Sequence, residues 1–107
     1  MPRELIVTHH LARQMHWSAQ TFGPNQNTRG ILNHIMKELV EIQATGGKDL
    51  MEWIDVIILA CDGALRAGFT PQEISDAWED KQCINEQRTW PSWWDVPPDE
   101  PIEHIKE

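Results

Sequence analysis

The stretch LMEWIDVIILACDGALRA, residues 50–67, decides the fold. At about 100° per residue, Glu52, Asp55, Asp62 and Arg66 fall in one narrow stripe, and nearly every other side chain is apolar or small. A helix that is apolar almost all round is a central, buried one. Its few carboxylates then read as ligands rather than as surface decoration, because ionised Asp and Glu are rarely buried without a partner. Asp62 has two readings, a third contributor to such a site or an ion-pair partner for Arg66 at i+4.

The preceding helix supplies a matching pair. Glu38-x-x-Glu41 and, ten residues on, Glu52-x-x-Asp55 each project one turn apart from their own helix. Two such helices packed antiparallel bring four negative charges within a few ångströms. Carboxylates about 4 Å apart repel by roughly 4 kcal/mol at an effective dielectric near 20. The cluster therefore calls for Mg²⁺ or Mn²⁺, hard cations that take oxygen ligands. Asp49 followed by Glu52 also spells a capping box, which gives Glu52 a competing role at its own helix start.

The rest of the chain reads as helices with sharp boundaries. A first helix is predicted over about Thr8–Gln20, with Leu11, Ala12, Met15 and Ala19 as its apolar stripe and the breakers Thr21-Phe22-Gly23-Pro24 closing it. A second, capped by Asn27 or Thr28, carries Ile31, Leu32, Ile35, Leu39 and Ile42 and ends before Gly46-Gly47, with Glu38 at the edge of that face. Gly68 stops the third. Thr70-Pro71-Gln72-Glu73 opens a fourth with a cap, an early proline and a glutamate at the third helical position. Trp90, Trp93 and Trp94, followed by Pro97-Pro98 and Pro101, suggest an extended strap over apolar surface, closed by a short helical turn at Ile102–Lys106. The expected fold is all-α and four-helix-bundle-like, one domain over residues 1–107 with an irregular Trp/Pro-rich tail from about residue 91.

The fourth helix places Lys81, Asn85 and Arg88 in the same stripe as Ile74, Ala77, Trp78 and Ile84, while Asp76, Glu79, Asp80 and Glu86 face away. Cations pointing at the core meet anions there. Those anions are either the carboxylates above or a phosphate chain, which Arg grips bidentately and Lys as a point charge. Trp53 and Trp78 read as packing. Trp17, off the apolar stripe beside His10 and Arg13, offers a face on which a nucleobase stacks or another subunit rests. His16 and His34 lack metal-ligand spacing and read as surface or supporting residues.

Composition narrows the function classes. The chain has 107 residues, 40% hydrophobic content and a formal charge of −8. Such an acidic balance argues against a DNA- or RNA-polymer surface. Cys61 and Cys83 lack CxxC spacing, so the expectation is two packed thiols in a reducing compartment. No signal-like or 18-residue apolar run occurs, and a cytoplasmic protein without a membrane partner is expected. A core this small suits assembly with further copies, a homodimer or homotetramer. A di-iron bundle would need Glu-x-x-His pairs, which neither Glu38 nor Glu52 begins. A non-catalytic acidic interaction module remains as the alternative, and it requires exposed carboxylates.

These residues carry a resemblance. Glu38-x-x-Glu41 to Glu52-x-x-Asp55, followed by Lys81-x-x-x-Asn85-x-x-Arg88, resembles the all-α nucleoside triphosphate pyrophosphohydrolase superfamily, the MazG-like proteins. Within it, the run His16-Trp17-Ser18-Ala19-Gln20-Thr21-Phe22-Gly23-Pro24, the segment Glu52-Trp53-Ile54-Asp55-Val56, and Arg88-Thr89-Trp90-Pro91 with Trp93 are similar to the phage-associated dATP/dGTP pyrophosphohydrolase family. The superfamily pattern usually begins with two adjacent glutamates, and here the first of these positions holds Lys37. The resemblance implies hydrolysis of a purine (deoxy)nucleoside triphosphate between its α and β phosphates, giving monophosphate and pyrophosphate. It implies Mg²⁺ or Mn²⁺ on Glu38, Glu41, Glu52 and Asp55, polarising phosphoryl oxygens and lowering the pKa of the attacking water. Lys81 and Arg88 would neutralise the triphosphate and Asn85 would orient a phosphate, a sugar hydroxyl or the water. Trp17 and Phe22 would contact the base. Glu38 would also accept the proton from water. Helices from two subunits commonly build such a site, and a phage-encoded member would act in the host cytoplasm.

Overall fold

Helix boundaries follow from the caps. The computed structural model describes residues 3–106, so residues 1, 2 and 107 of the expected domain lie outside the described residues. Among the described residues four helices, α1 Val7–Phe22, α2 Thr28–Ala44, α3 Leu50–Arg66 and α4 Pro71–Gln87, are followed by a 3-10 turn at Trp93–Asp95. Among the described residues there is no strand, and the fold is all-α. They fall into two compact units, Met1–Ser75 and Asp76–Glu107. No described helix is long and apolar enough to cross a membrane.

In the first unit Asn27 caps α2, its Oδ1 accepting from the Gly30 N–H at 3.3 Å. At the other end the N–H groups of Gly46 and Gly47 donate to the carbonyls of Gln43 (3.1 Å) and Ile42 (2.9 Å). Both glycines have positive φ, 67° and 74°, so the chain reverses where an L side chain would be strained. Asp49 then caps α3, accepting from the Met51 N–H at 3.1 Å. Gly68, at φ 105°, ends it, with the same pair of bonds: Gly68 N–H to the Leu65 carbonyl (3.1 Å) and Phe69 N–H to that of Ala64 (3.2 Å). Trp53 locks the α2–α3 turn, its indole N–H donating to the Gly47 carbonyl at 2.9 Å.

α3 packs along α2 and, less extensively, against α1. Leu11, Ile31, Ile42 and Leu65 form the buried apolar core. The face α1 turns inward is Leu11, Gln14 and Ser18, not the predicted Leu11, Ala12, Met15 and Ala19 stripe. Its two polar members are buried because each has a partner on α3: Gln14 Nε2 donates to the Ile58 carbonyl at 2.8 Å, and the Ser18 hydroxyl to Asp62 at 2.8 Å. The expectation that α3 is buried all round is also corrected. Only Asp62 and Leu65 are buried, and Met51, Trp53, Ile54 and Ile57 are exposed in the single chain. An apolar face shows that something must cover it, but not that the same chain does.

α4 opens with a reciprocal capping box. Thr70 Oγ1 accepts from the Glu73 N–H at 3.1 Å, and Glu73 Oε1 accepts from the Thr70 N–H at 3.0 Å. Its predicted buried stripe is not buried: Trp78 and Ile84 are exposed, as is Cys83, which the sequence suggested as a packed thiol. In the second unit Trp90 anchors the tail, its N–H donating to the Asn85 carbonyl at 2.7 Å while its ring meets His104 edge-on at 5.9 Å. The expected helical turn at 102–106 is absent. That segment is irregular, and the Ile105 N–H donates to the Thr89 carbonyl at 2.8 Å. Trp93 and Trp94 stack edge-to-face on each other at 5.6 Å and stay exposed rather than lying over apolar surface.

Candidate active site

The glycine turn between α2 and α3 brings the two acidic segments together. Carboxylate oxygens of Glu38, Glu41 and Glu52 all lie within 4.8 Å of one another. Asp55 is exposed and stands outside that close group. Its charge nevertheless reaches Glu38.

Glu38 is the inner member, with 7% of its surface exposed. One oxygen, Oε1, meets His34 Nε2 at 3.3 Å. The other, Oε2, is buried with no hydrogen-bond partner among the described residues. Burial, then the neighbouring Glu41 and the charge of Asp55, push the Glu38 pKa up, and His34 acts in the opposite direction. A buried carboxylate with one unpartnered oxygen, grouped with two further carboxylates, is a donor set matched to a hard divalent cation. The residues present fit such an ion.

Glu52 lies in the first turn of α3. The capping-box role open to it is not the one it takes. Asp49 caps α3 by itself, and Glu52 Oε1 accepts from the Thr45 hydroxyl at 3.2 Å. Thr45 and His34 are thus supporting residues around the acidic group. Thr45 was missed in the sequence because a threonine at a helix end is most simply a cap, and its one hydroxyl proton is shared between Glu52 and the helix-end carbonyls of Glu41 and Ile42, at 3.2 and 3.1 Å. Asp62 pairs with Arg66 Nε at 3.1 Å and belongs to a separate network.

Trp17 and Phe22 meet edge-to-face, ring centroids 5.3 Å apart, and both are exposed. Beside Trp17 opens a groove of about 430 Å³ lined by His10, Arg13, Gln14, Gln20 and Ile58 among others. The Gln14 carboxamide is held between the Ile58 carbonyl and His10 Nε2, the latter at 3.1 Å. On α4 Lys81 is exposed, while Asn85, within the helix, and Arg88, just past its end, are half-buried. Arg88 Nη1 donates to Asn85 Oδ1 at 3.5 Å.

A profile of the dATP/dGTP pyrophosphohydrolase family matches residues 10–107. A dATP/dGTP diphosphohydrolase of Salmonella phage PMBT28 is 35% identical over 74 residues, which make up 69% of this chain and 24% of that protein. The chain thus spans about a quarter of the length of that curated relative. Among solved structures, the Cyanophage S-2L MazG-like pyrophosphohydrolase, bound to dGDP and three catalytic Mn²⁺ ions per active site, is similar over 96% of both chains, with a TM-score of 0.73 and 25% identity. With four helices in order, an acidic group at the α2–α3 turn and a family match over nearly its whole length, the chain belongs to the dATP/dGTP pyrophosphohydrolase family.

Proposed function

We propose that this protein hydrolyses purine deoxynucleoside triphosphates, dGTP or dATP, at the α–β bond, adding water to give the nucleoside monophosphate and pyrophosphate. The observation that carries the proposal is the convergence of Glu38, Glu41 and Glu52 oxygens within 4.8 Å, with the buried Oε2 of Glu38 lacking a hydrogen-bond partner among the described residues. Mg²⁺ or Mn²⁺ would be held by these three residues and by Asp55. Bound there, the cation supplies Lewis acidity toward the phosphoryl oxygens and the attacking water.

The chain's own groups do the remainder. Glu38 accepts the proton from water, and His34 at 3.3 Å holds the orientation of its carboxylate. The Thr45 hydroxyl holds Glu52 in place at 3.2 Å. Lys81 and Arg88 neutralise charge on the departing pyrophosphate, and Asn85 orients a phosphate, a sugar hydroxyl or the water. Trp17 contacts the base, with Phe22 against its ring. The dGDP and Mn²⁺ bound by the cyanophage protein support this substrate class. Exposed Leu32, Met36, Leu39 and Val40 on α2 and Met51, Ile54 and Ile57 on α3 support a homodimer or homotetramer. The phage-borne relative supports action in a host cytoplasm.

An acidic interaction module without chemistry calls for carboxylates open to solvent, and Glu38 is buried. Glu52→Gln and Asp55→Asn separate the two readings. The enzyme reading expects turnover to fall by at least about a hundredfold, as for loss of a first-rank charge-stabilising group, with the helical circular dichroism unchanged. Retained turnover in both variants overturns it.

A further inference from the structure

Ser18, Asp62 and Arg66 form a closed polar ring between α1 and α3 that the proposed chemistry does not use. The Arg66 side chain, at the end of α3, is 9% exposed. A guanidinium has five N–H donors, and here every one is engaged. Nε donates to Asp62 Oδ2 at 3.1 Å. Nη1 donates to the carbonyls of Gly23 and Asn25, each at 2.7 Å. Nη2 donates to the carbonyl of Ser18 at 3.2 Å and to its hydroxyl at 2.9 Å. The Ser18 hydroxyl in turn donates to Asp62 Oδ1 at 2.8 Å, which closes the ring.

The residues gripped bracket the aromatic pair. Ser18 follows Trp17, Gly23 follows Phe22, and Asn25 lies in the turn leading to α2. Trp17 and Phe22 themselves are more than half exposed, at 55% and 68%, so core packing does little to hold them. Their orientation depends on the backbone that carries them, and Arg66 ties that backbone to α3 at Ser18, Gly23 and Asn25, alongside the Ser18–Asp62 and Gln14–Ile58 bonds. Gly23, at φ 90°, has nothing within 4 Å of a Cβ built on it, so the glycine serves the backbone course there and not a close approach.

We infer that Arg66 is a positioning residue for nucleobase recognition: through the carbonyls of Ser18, Gly23 and Asn25 it sets the attitude of the Trp17–Phe22 edge, and so governs base affinity and discrimination. The inference rests on the reading in which those two rings meet the base. It also accounts for the run from Trp17 to Pro24, where a serine and a glycine punctuate two exposed aromatics. Lysine cannot replace this arginine, because an ammonium is a point donor without the planar fork that reaches several acceptors at once.

The test compares full-length wild type, Arg66→Lys, Trp17→Ala and the double variant, each in steady-state hydrolysis of dGTP, dATP and dCTP at saturating Mn²⁺. Arg66→Lys is expected to raise KM for the purine nucleotides about tenfold, with less than about a threefold loss of kcat, and to lower the purine-to-pyrimidine ratio of kcat/KM. In the Trp17→Ala background the same substitution should add no more than about a twofold effect, since residues acting through one another are not additive. A purely structural role gives the opposite pattern: a lower Tm and kcat with KM and base ratio unmoved, and equal effects in both backgrounds. That pattern overturns the inference. Should Arg66→Lys not fold, Ser18→Ala removes only the hydroxyl of the ring and is expected to shift KM and base ratio in the same direction, and unmoved values overturn the inference. A wild-type chain that turns over no nucleotide overturns the proposed function and this inference with it, whereas an active wild type with an unaltered Arg66→Lys profile overturns the inference alone.

Discussion

The Thr45 hydroxyl donates to Glu52 Oε1 at 3.2 Å, tying the last residue before the glycine turn to an acidic residue in the first turn of α3. Outer partners of this kind fix the rotamer of a ligand. Thr45→Val keeps the shape and removes the donor, so Mn²⁺ affinity measured by calorimetric titration should fall about tenfold, the usual scale for a lost supporting contact, with helicity retained. Unchanged affinity would show that Glu52 is oriented by something else.

Glu38 makes a second prediction, because it is a charge the metal-free fold accommodates poorly. Its Oε2 is buried with no hydrogen-bond partner among the described residues, and the charges of Glu41 and Asp55 disfavour its ionised form. Glu38→Gln removes that charge. In chelator the variant should melt at a higher temperature than wild type, yet it should lose most of the rise in Tm that Mn²⁺ confers on the wild-type protein. A lower Tm in chelator together with an intact response to Mn²⁺ would mean that Glu38 is neither strained nor a ligand.

The capping box of α4 is a local device and should behave as one. Removing the Thr70 hydroxyl deprives the Glu73 N–H of its acceptor at 3.1 Å. Thr70→Ala should cost about 1 kcal/mol in denaturant unfolding, the usual scale for a lost N-cap. A cost below a few tenths would show that the box contributes little.

Boundaries of this sort were the most legible part of the chain. Caps are written in three or four consecutive residues, as at Asn27, Asp49 and Thr70, and both predicted glycine stops adopt positive φ. The meeting of Glu38, Glu41 and Glu52 was legible for a related reason, since two helical repeats and one short turn determine it. Partners distant in sequence were not. Ser18 reads as one more polar residue on α1 until Asp62, 44 positions on, accepts its hydroxyl. The same holds for Gln14, whose burial depends on a backbone carbonyl at Ile58. Amphipathic pattern also overstated burial. Trp53, expected in the core, is half-exposed and braces a turn, while Trp78 and Ile84 on α4 are exposed.

Those exposed faces bear on assembly. Leu39 and Val40 on α2 are 49% and 66% exposed, more apolar surface than an isolated helical unit usually leaves open. Sedimentation velocity should give a dimer or tetramer, and Val40→Lys should shift the distribution toward monomer. A wild-type chain that sediments as a monomer at micromolar concentration would refute the assembly proposal.

Product identity tests the central claim most directly. The purified protein is incubated with each deoxynucleoside triphosphate, with Mg²⁺ or Mn²⁺ and with chelator, and the products are separated. The acidic group at the α2–α3 turn predicts monophosphate and pyrophosphate from dGTP or dATP, only when the divalent ion is present. Diphosphate with orthophosphate, equal turnover in chelator, or intact substrate under every condition would contradict it.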